Sequence, residues 1–369
     1  MRVMLVSKAL VVGAYQRKLD ELAALPDVDL IAVVPPSWRD PSYEQKLERR
    51  DSDAYQMVVT PIAVNGNFHL FFFPQLGRLL DRFRPDVLHI DEEPYNLATF
   101  LALAQANRRH IPTVFFTWQN LNRRYPIPFF WMERYAYAAA SWAIAGSAAA
   151  EGVLREKGYR GPATVIPQFG IDPASFVPPT EPRPERPFTI GFVGRLVEEK
   201  GVEMLVDACA RLTLDYRLVI VGDGPTRDRV EDRIAQHSLQ QRMELVGAVR
   251  SSEIPAWLQK LDAVVLPSLS RPNWIEQFGR ILAEAMATGV PVVGSTCGEI
   301  PAVIGDGGLV FPEGDVAALA AALERLGQDP TLRAAIGARG RQRALDQFTQ
   351  RRIAQDSVAV YRQVAATGR

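Results

Sequence analysis

Six prolines fall within the sixteen residues from Asp172 to Pro187, and no other stretch restricts the fold of this chain so strongly. Each proline fixes φ and removes a backbone donor, so the segment can be neither a helix interior nor a central strand. Residues 172–187 therefore read as a linker dividing the 369 residues. On one side lies a domain over 1–171, and on the other a domain over 188–348, with a terminal segment over 349–369. Two domains of ~170 residues suit this length better than one. Strand patterns in the first half fall at Arg2–Ser7, Val28–Val34, Met57–Thr60, Val87–Ile90, Thr113–Thr117 and Trp142–Ala145. Helical patterns lie between them, at about Tyr15–Leu25, Gln75–Phe83, Tyr95–Ala106, an aromatic-rich stretch after Thr117, and Ala148–Lys157. The second half repeats the theme. Strands are expected at Phe188–Val193, Arg217–Val221, Met243–Val246, Ala263–Pro267, Pro291–Gly294 and Leu309–Phe311. Helices are expected from near Gly201 and at Asp228–His237, Ser252–Lys260, Arg280–Thr288 and Asp315–Leu326, with a last one from roughly Thr349 to Val364. Such alternation implies right-handed crossovers and parallel sheets covered on both faces, an α/β fold of two doubly wound, Rossmann-like domains.

Composition narrows the function. Hydrophobic residues at 47% and charged residues at 23% describe a soluble globular chain. Zero formal net charge gives no reason to expect nucleic acid as a partner. Cys209 and Cys297 read as buried thiols in a reducing compartment. His69, His89, His110 and His237 are scattered over separate elements without metal-ligand spacing, so no metal site is expected. Met1–Val6 is too brief an apolar run for a signal peptide, and no stretch approaches the ~20 apolar residues of a membrane span. A cytoplasmic location is expected, with loose attachment at the inner membrane face as an option.

Two short segments carry the chemistry. In the first, Glu276 and Glu284 stand eight residues apart. Arg280 to Thr288 reads as a buried helix that Gly289 ends, so Glu284 lies among apolar neighbours, where an unpaired carboxylate costs several kcal/mol. Glu276 falls just before that helix, beside Phe278-Gly279, whose backbone N–H groups sit at a helix N-terminus. Eight residues of helix span ~12 Å, the reach from a nucleotide's ribose to the far side of a sugar on its diphosphate. An ordinary reading also fits: Arg280 and Glu284 are spaced for an i,i+4 salt bridge, and Glu276 favours the helix N-terminus. In the second segment, the strand ending at Val193 runs into Gly194-Arg195-Leu196-Val197-Glu198-Glu199-Lys200-Gly201. A glycine turn lets backbone approach a phosphate, and Arg195 and Lys200 flank it near a strand carboxyl end, where open α/β sheets bind ligands. A solvated loop with two ordinary cations is the alternative.

Taken in order, Gly194-Arg195-Leu196…Lys200-Gly201, Glu276-x7-Glu284, Gly289-Val290-Pro291-Val292-Val293 and Gly298-Glu299-Ile300-Pro301 resemble the retaining family 4 glycosyltransferases of GT-B architecture. The resemblance implies two Rossmann-like domains facing a central cleft, with a terminal helix crossing back to the first domain. It implies transfer of a sugar from a nucleoside-diphosphate sugar to a hydroxyl of a glycan, lipid-linked or small-molecule acceptor. Cell-surface polysaccharide or glycoconjugate synthesis is the expected setting, with retained anomeric configuration and no metal or other cofactor. Arg195 and Lys200 would hold the diphosphate and neutralise the charge of the leaving group. Glu276 would orient the transferred sugar, Glu284 would bind the ribose hydroxyls, and the N–H groups of Phe278 and Gly279 would add to the phosphate site. Backbone at Val249-Arg250 would meet the base, and Val221-Gly222-Asp223-Gly224-Pro225 is a further turn that could face the donor.

On the acceptor side Gly13 marks the first-domain loop, though the family's usual glycine pair is here Gly13-Ala14. Many relatives carry a histidine after the strand corresponding to Thr113–Thr117. This chain reads Thr117-Trp118-Gln119-Asn120, so Gln119 and Asn120 are expected to bind hydroxyls, and neither can act as a base. Asp91-Glu92-Glu93 follows another strand end and is either a cleft carboxylate or three solvated acids. Phe71-Phe72-Phe73 and Pro126–Trp131, interleaved with Arg123, Arg124 and Arg134, allow contact with lipid or burial in the core. The alternatives remain a nucleotide-sugar epimerase or oxidoreductase, a glycan phosphorylase using pyridoxal phosphate, and a two-lobed sugar-binding protein. The first of these should carry Gly-x-Gly-x-x-Gly after the first strand, where this chain has Lys8-Ala9-Leu10-Val11-Val12-Gly13.

Overall fold

The computed structural model of the chain describes residues 1–40, 43–50, 52–180 and 186–367. These form two compact units, one of Met1–Gly170 together with the stretch from Gln350, the other of Ile171–Thr349. Nine strands belong to the first unit: β1 Arg2–Val6, β2 Asp29–Val34, β3 Ser37–Arg39, β4 Glu44–Lys46, β5 Gln56–Val59, β6 Val87–Ile90, β7 Thr113–Thr117, β8 Trp142–Ala145 and β9 Ala163–Val165. Seven of them make one parallel sheet in the order β5-β2-β1-β6-β7-β8-β9, while β3 and β4 pair antiparallel beside it. Strand order reverses between β1 and β6, where Val6 pairs with Ile90.

The inner strands of the sheet, β2, β1, β6, β7 and β8, are buried on both faces, which is why they read as continuous apolar runs. Along β1, Met4 and Val6 enter one core cluster and Val3 and Leu5 the other, the period-two alternation of a strand. The helix Gln350–Thr367 covers the second face and packs on the helix Arg17–Ala23. Its stripe of Ile353, Ala354, Val358, Tyr361 and Val364 is buried, and the Tyr361 hydroxyl lies 2.7 Å from His89 Nδ1. Each such side chain contributes about 1.5–3 kcal/mol by leaving water, which holds this terminal helix on the first unit.

The second unit carries β10 Phe188–Val193, β11 Tyr216–Val221, β12 Met243–Gly247, β13 Ala263–Leu266, β14 Val292–Ser295 and β15 Gly308–Phe311. They form a parallel sheet in the order β12-β11-β10-β13-β14-β15, with the order reversing between β10 and β13. Every residue of β10 is buried. Within the proline-rich segment, Phe176 packs against the core of this unit and its carbonyl accepts from Arg341 Nη1 at 3.3 Å. Residues 181–185 of the expected linker lie outside the described residues.

Several elements differ from the sequence expectation. The helix expected from Tyr15 opens as a 3-10 turn over Gly13–Gln16 and becomes α-helical only at Arg17. The expected helix Ser252–Lys260 is a 3-10 turn over Ser251–Glu253 followed by Ile254–Leu258. An eighteen-residue helix, Pro330–Gln347, was not expected at all. Asp329 starts it, its side chain accepting from Leu332 N at 2.9 Å, with Pro330 in the first turn.

Candidate active site

The switch between β10 and β13 fixes where a ligand can sit in the second unit, because both neighbouring connections leave the strand ends in opposite directions there. After β10 the chain passes through Gly194 and Arg195, makes a 3-10 turn over Glu198–Lys200, and enters the helix Val202–Cys209 through Gly201. Gly201 has φ +64°, and a Cβ on it would stand 2.2 Å from the carbonyl oxygen of Pro267. Only glycine lets this turn press against the end of β13. That contact brings Lys200 to the loop following β13.

There the Lys200 ammonium meets Glu276 Oε2 at 2.5 Å and lies 5.1 Å from the centre of the Trp274 ring. Glu276 is buried, and the same oxygen accepts from Ser268 Oγ at 2.9 Å. Ser268 is fixed in turn by Ser295 Oγ, which donates to its carbonyl at 2.6 Å. The Glu276 carbonyl accepts from Glu299 N at 3.2 Å, so the Gly298-Glu299 loop abuts this residue. Paired and hydrogen-bonded in this way, the carboxylate is tolerable in a buried place.

Glu284 lies on the helix Arg280–Ala287, whose remaining interior side chains are apolar, and is 8% exposed. Burial pushes its carboxyl above the usual range, opposed by the Arg280 guanidinium 2.9 Å away. The i,i+4 salt bridge is therefore present, and it coexists with a place on the cavity wall.

Arg195, Lys200, Val249, Glu276, Gly279 and Glu284 line a single cavity of about 630 Å³. The turn Val221-Gly222-Asp223 lines it too, as do Trp274, Ser251 and Ile281, which sequence reasoning did not single out. Arg195 is exposed, and its side chain has no ion pair among the described residues. Arg250 and Phe278 were expected to contribute backbone, and their side chains point elsewhere: Arg250 to Glu253, at 3.3 Å from Nε to Oε2, and the Phe278 ring edge-on against Phe348. Ser268 was missed although it follows a strand end, which was the available signal. Among the described residues no group of three or more His, Cys, Asp or Glu is placed to hold a metal ion.

Gly13, Gln119 and Asn120 belong to the first unit. Gly13 is buried and donates its N–H to Glu48 Oε2 at 2.9 Å. Gln119 is 7% exposed, and neither polar atom of its amide has a hydrogen-bond partner among the described residues. Asp91, Glu92 and Glu93 are all buried, which removes the reading of three solvated acids. Glu92 pairs with the Lys8 ammonium, and Lys8 lies over the Trp38, Phe68 and Phe71 rings at 5.3, 4.8 and 4.9 Å. Burial pushes the Glu93 carboxyl up to about 7, against hydrogen bonds from Thr117 and Trp118. Lys8 and Glu92 are 84 residues apart, so no local pattern announces their pairing. Of the aromatic runs, Phe71 and Phe73 are core, whereas Ile127 and Trp131 are 73% and 61% exposed.

Comparison with known proteins identifies this architecture. Over their full lengths, this chain and sucrose-phosphate synthase from Thermosynechococcus elongatus superpose with a TM-score of 0.75 at 20% identity. Anabaena Alr3699/HepE in complex with UDP gives 0.74 at 19% identity, covering 98% of this chain and 99% of that one. The fold is GT-B. Residues 19–174 match the family described as Glycosyltransferase Family 4, and residues 176–343 match Glycosyl transferases group 1. The two matches nearly meet, so residues 19–343 are similar almost throughout to glycosyltransferase domains of these two families. WcaL of Salmonella typhimurium, assigned by name to colanic acid biosynthesis, is 32% identical over 211 residues, 55% of this chain and 52% of WcaL. The chain spans about half the length of the first curated relatives it matches.

Proposed function

We propose that the protein moves a sugar from a nucleoside-diphosphate sugar to an acceptor hydroxyl, with retained anomeric configuration and without a metal. The observation that carries this reading is the convergence of Arg195, Lys200, Glu276 and Glu284 on one cavity at a strand switch point. Lys200 spends one of its three N–H donors on Glu276, leaving two for diphosphate oxygens. Arg195 supplies a planar fork suited to the same group. Together they would neutralise the charge that grows as the nucleoside diphosphate departs. Glu276 would accept from hydroxyls of the transferred sugar and Glu284 from the ribose, with the base against backbone near Val249. Gly279 at the helix start adds an N–H directed at phosphate. The C1–O bond to phosphate breaks as the acceptor oxygen bonds C1 on the same face. The acceptor's proton passes to the departing phosphate oxygen, so no enzyme carboxylate need form a covalent bond. Resemblance to WcaL, named for colanic acid biosynthesis, favours polysaccharide or glycoconjugate synthesis. An epimerase or oxidoreductase lacks support, because Gly13 is the sole glycine of the loop after β1.

Thermal-shift titration with UDP, GDP and ADP tests the reading, with Arg195→Ala as control. One nucleotide should raise the melting temperature of the wild type and have much less effect on the variant. A chain stabilised by none of them, or a variant stabilised equally, would falsify the assignment. EDTA should leave transfer from the matching sugar nucleotide unchanged.

Contact with an anionic lipid surface is a second element of this proposal. Ile127, Phe130 and Trp131 are exposed together, with Arg123, Arg124 and Arg134 exposed around them. No helix among the described residues is long and apolar enough to cross a membrane. Co-sedimentation with phosphatidylglycerol vesicles should fall on Trp131→Glu; binding that ignores this change would remove the patch from consideration.

A further inference from the structure

Beyond the donor cavity, the first unit holds a second arrangement at the carboxyl ends of β6 and β7. Glu93 follows β6 by three residues and is buried. Its Oε2 accepts from Thr117 Oγ1 at 2.6 Å and its Oε1 from Trp118 N at 2.8 Å. Thr117 Oγ1 accepts in turn from Gln119 N at 3.1 Å. One carboxylate thus ties down three consecutive residues at the end of β7. The Glu93 carbonyl also accepts from Asn96 N at 3.1 Å. Glu93 is therefore bonded, directly or through Thr117, to the backbone of both Gln119 and Asn96.

Those two residues share a second property. Asn96 is fully buried at the start of the helix Leu97–Asn107, yet its side chain makes no capping hydrogen bond. Among the described residues, neither side-chain polar atom of Asn96 has a hydrogen-bond partner, and neither of Gln119 does. A buried amide left unmatched costs about 1–3 kcal/mol. A chain with two of them, one at a strand end tied down by the Glu93 carboxylate and the other bonded to the Glu93 backbone carbonyl, resembles a site prepared for a ligand that satisfies them. A primary amide offers donors and an acceptor side by side and carries no charge, which suits a hydroxyl, itself donor and acceptor. It does not suit a phosphate or a carboxylate.

We propose that Glu93 is a positioning residue: its carboxylate holds the strand end that carries the Gln119 amide, and its backbone carbonyl the helix start that carries the Asn96 amide, where both receive hydroxyl groups of the acceptor. This deepens the transferase reading and rests on it for the word acceptor; the hydroxyl site itself stands on the first unit alone. Glu93 acts through the strand end and never touches the reacting atoms. The charged and titratable groups around it are Lys8, Glu92 and the phenols of Tyr95, Tyr125 and Tyr137. Burial keeps its carboxyl close to half-ionised near neutrality, so the clamp is at its firmest above about pH 7, where the ionised form accepts both hydrogen bonds.

The test uses the full chain labelled with ¹⁵N at glutamine side chains, with glycerol as the hydroxyl probe. In the wild type, glycerol should shift the Gln119 side-chain amide resonance, while UDP binding is measured separately. Glu93→Gln keeps the size but loses one acceptor, and should weaken the glycerol response about tenfold with UDP affinity unchanged. Thr117→Val should behave likewise, and Thr117→Ser should restore the wild-type response; these two keep the test open if Glu93→Gln does not fold. No glycerol response in the wild type, or an equal one in Glu93→Gln and Thr117→Val, overturns the proposal. Failure of the wild type to bind any of UDP, GDP and ADP, with the glycerol response intact, would sink the transferase reading and leave the hydroxyl site standing.

Discussion

The two units place polar side chains at the same end of the same kind of sheet and treat them in opposite ways. In the second, Glu276 is held by Lys200 and Ser268, and Glu284 by Arg280. In the first, Asn96 and Gln119 are buried with side-chain amides that have no hydrogen-bond partner among the described residues. The difference reflects what each surface must bind. A diphosphate is strongly charged, so its cations can rest on nearby carboxylates and still favour the incoming anion. Neutral hydroxyls offer no such charge, so a site for them must forgo internal hydrogen bonds to keep its donors and acceptors available.

The largest effects are expected at the cations. Arg195→Ala should lower turnover by about 10²–10³-fold, as loss of one donor to a developing anion does. Its melting temperature should not move, since no ion pair among the described residues is broken. Lys200→Ala should cost as much turnover and also about 3 kcal/mol of stability, because Glu276 then keeps a buried charge without its partner. If the two variants melt alike, the contrast between an unpaired and a paired cation is wrong.

Next in size is a pH effect in the first unit. An unfolded glutamate titrates near 4.5, whereas burial raises Glu93 to about 7. Between those values the folded chain holds a proton that the unfolded chain has lost, so the Glu93 contribution to stability is complete below 4.5 and falls as pH rises to about 7. At 1.36 kcal/mol per pH unit the fall is on the order of 3 kcal/mol. His89 works the other way: burial lowers it to about 4, and stability is lost as pH drops from 6.5 through that value. Denaturation of the wild type against Glu93→Gln over pH 4.5–8 isolates the first effect. Parallel curves would show that Glu93 does not titrate in this window.

How much of this could be read beforehand follows from distance along the chain. Arg195 and Lys200 stand in one turn, and Glu276 and Glu284 on one loop and helix, so each pair was visible in a short window. The alternation of strands and helices was visible for the same reason, as was the stripe from Ile353 to Val364. Glu92 was not legible, because its partner Lys8 comes from a different strand end, and three adjacent acids look solvated until the fold buries them. The helix Pro330–Gln347 carries Gly337 and Gly340, residues of low helix propensity, in its interior. In the fold they are needed for close packing: a Cβ on Gly337 would stand 2.4 Å from the Gly289 carbonyl, and one on Gly340 would stand 2.7 Å from that of Gly307. The Asp329-Pro330 start was the signal that could have revealed it.

A smaller effect concerns donor affinity. Glu284→Gln keeps the shape of the cavity wall and removes a charge whose ionisation burial already opposes. Binding of the matching nucleotide should weaken by about tenfold, the loss of one charge-assisted hydrogen bond. Stability should hold, because a surface-facing Arg280 half-exposed to water keeps little of the salt bridge's worth. Unchanged affinity by calorimetry would reduce Glu284 to the ordinary helix pair that its spacing also allows.

The smallest expected change separates the two units most directly, because its sign is opposite in each. Replacing Gln119 by methionine removes two unmatched buried polar atoms at nearly constant volume and leaves the backbone bond from Gln119 N to Thr117 untouched. Nothing loses a partner, so stability should rise by about 1 kcal/mol, the share of the desolvation cost no longer carried. Glu276→Met in the second unit is the same kind of change, from polar to thioether, but it strands the Lys200 ammonium and the Ser268 hydroxyl, and stability should fall. Both variants should lose function, one by ceasing to hold hydroxyls and the other by ceasing to orient the sugar. A site kept for a ligand is recognised by this trade, in which deleting the binding group strengthens the fold. Should Gln119→Met instead melt below the wild type in equilibrium denaturation, its amide has a partner in solution, and the contrast between the units disappears.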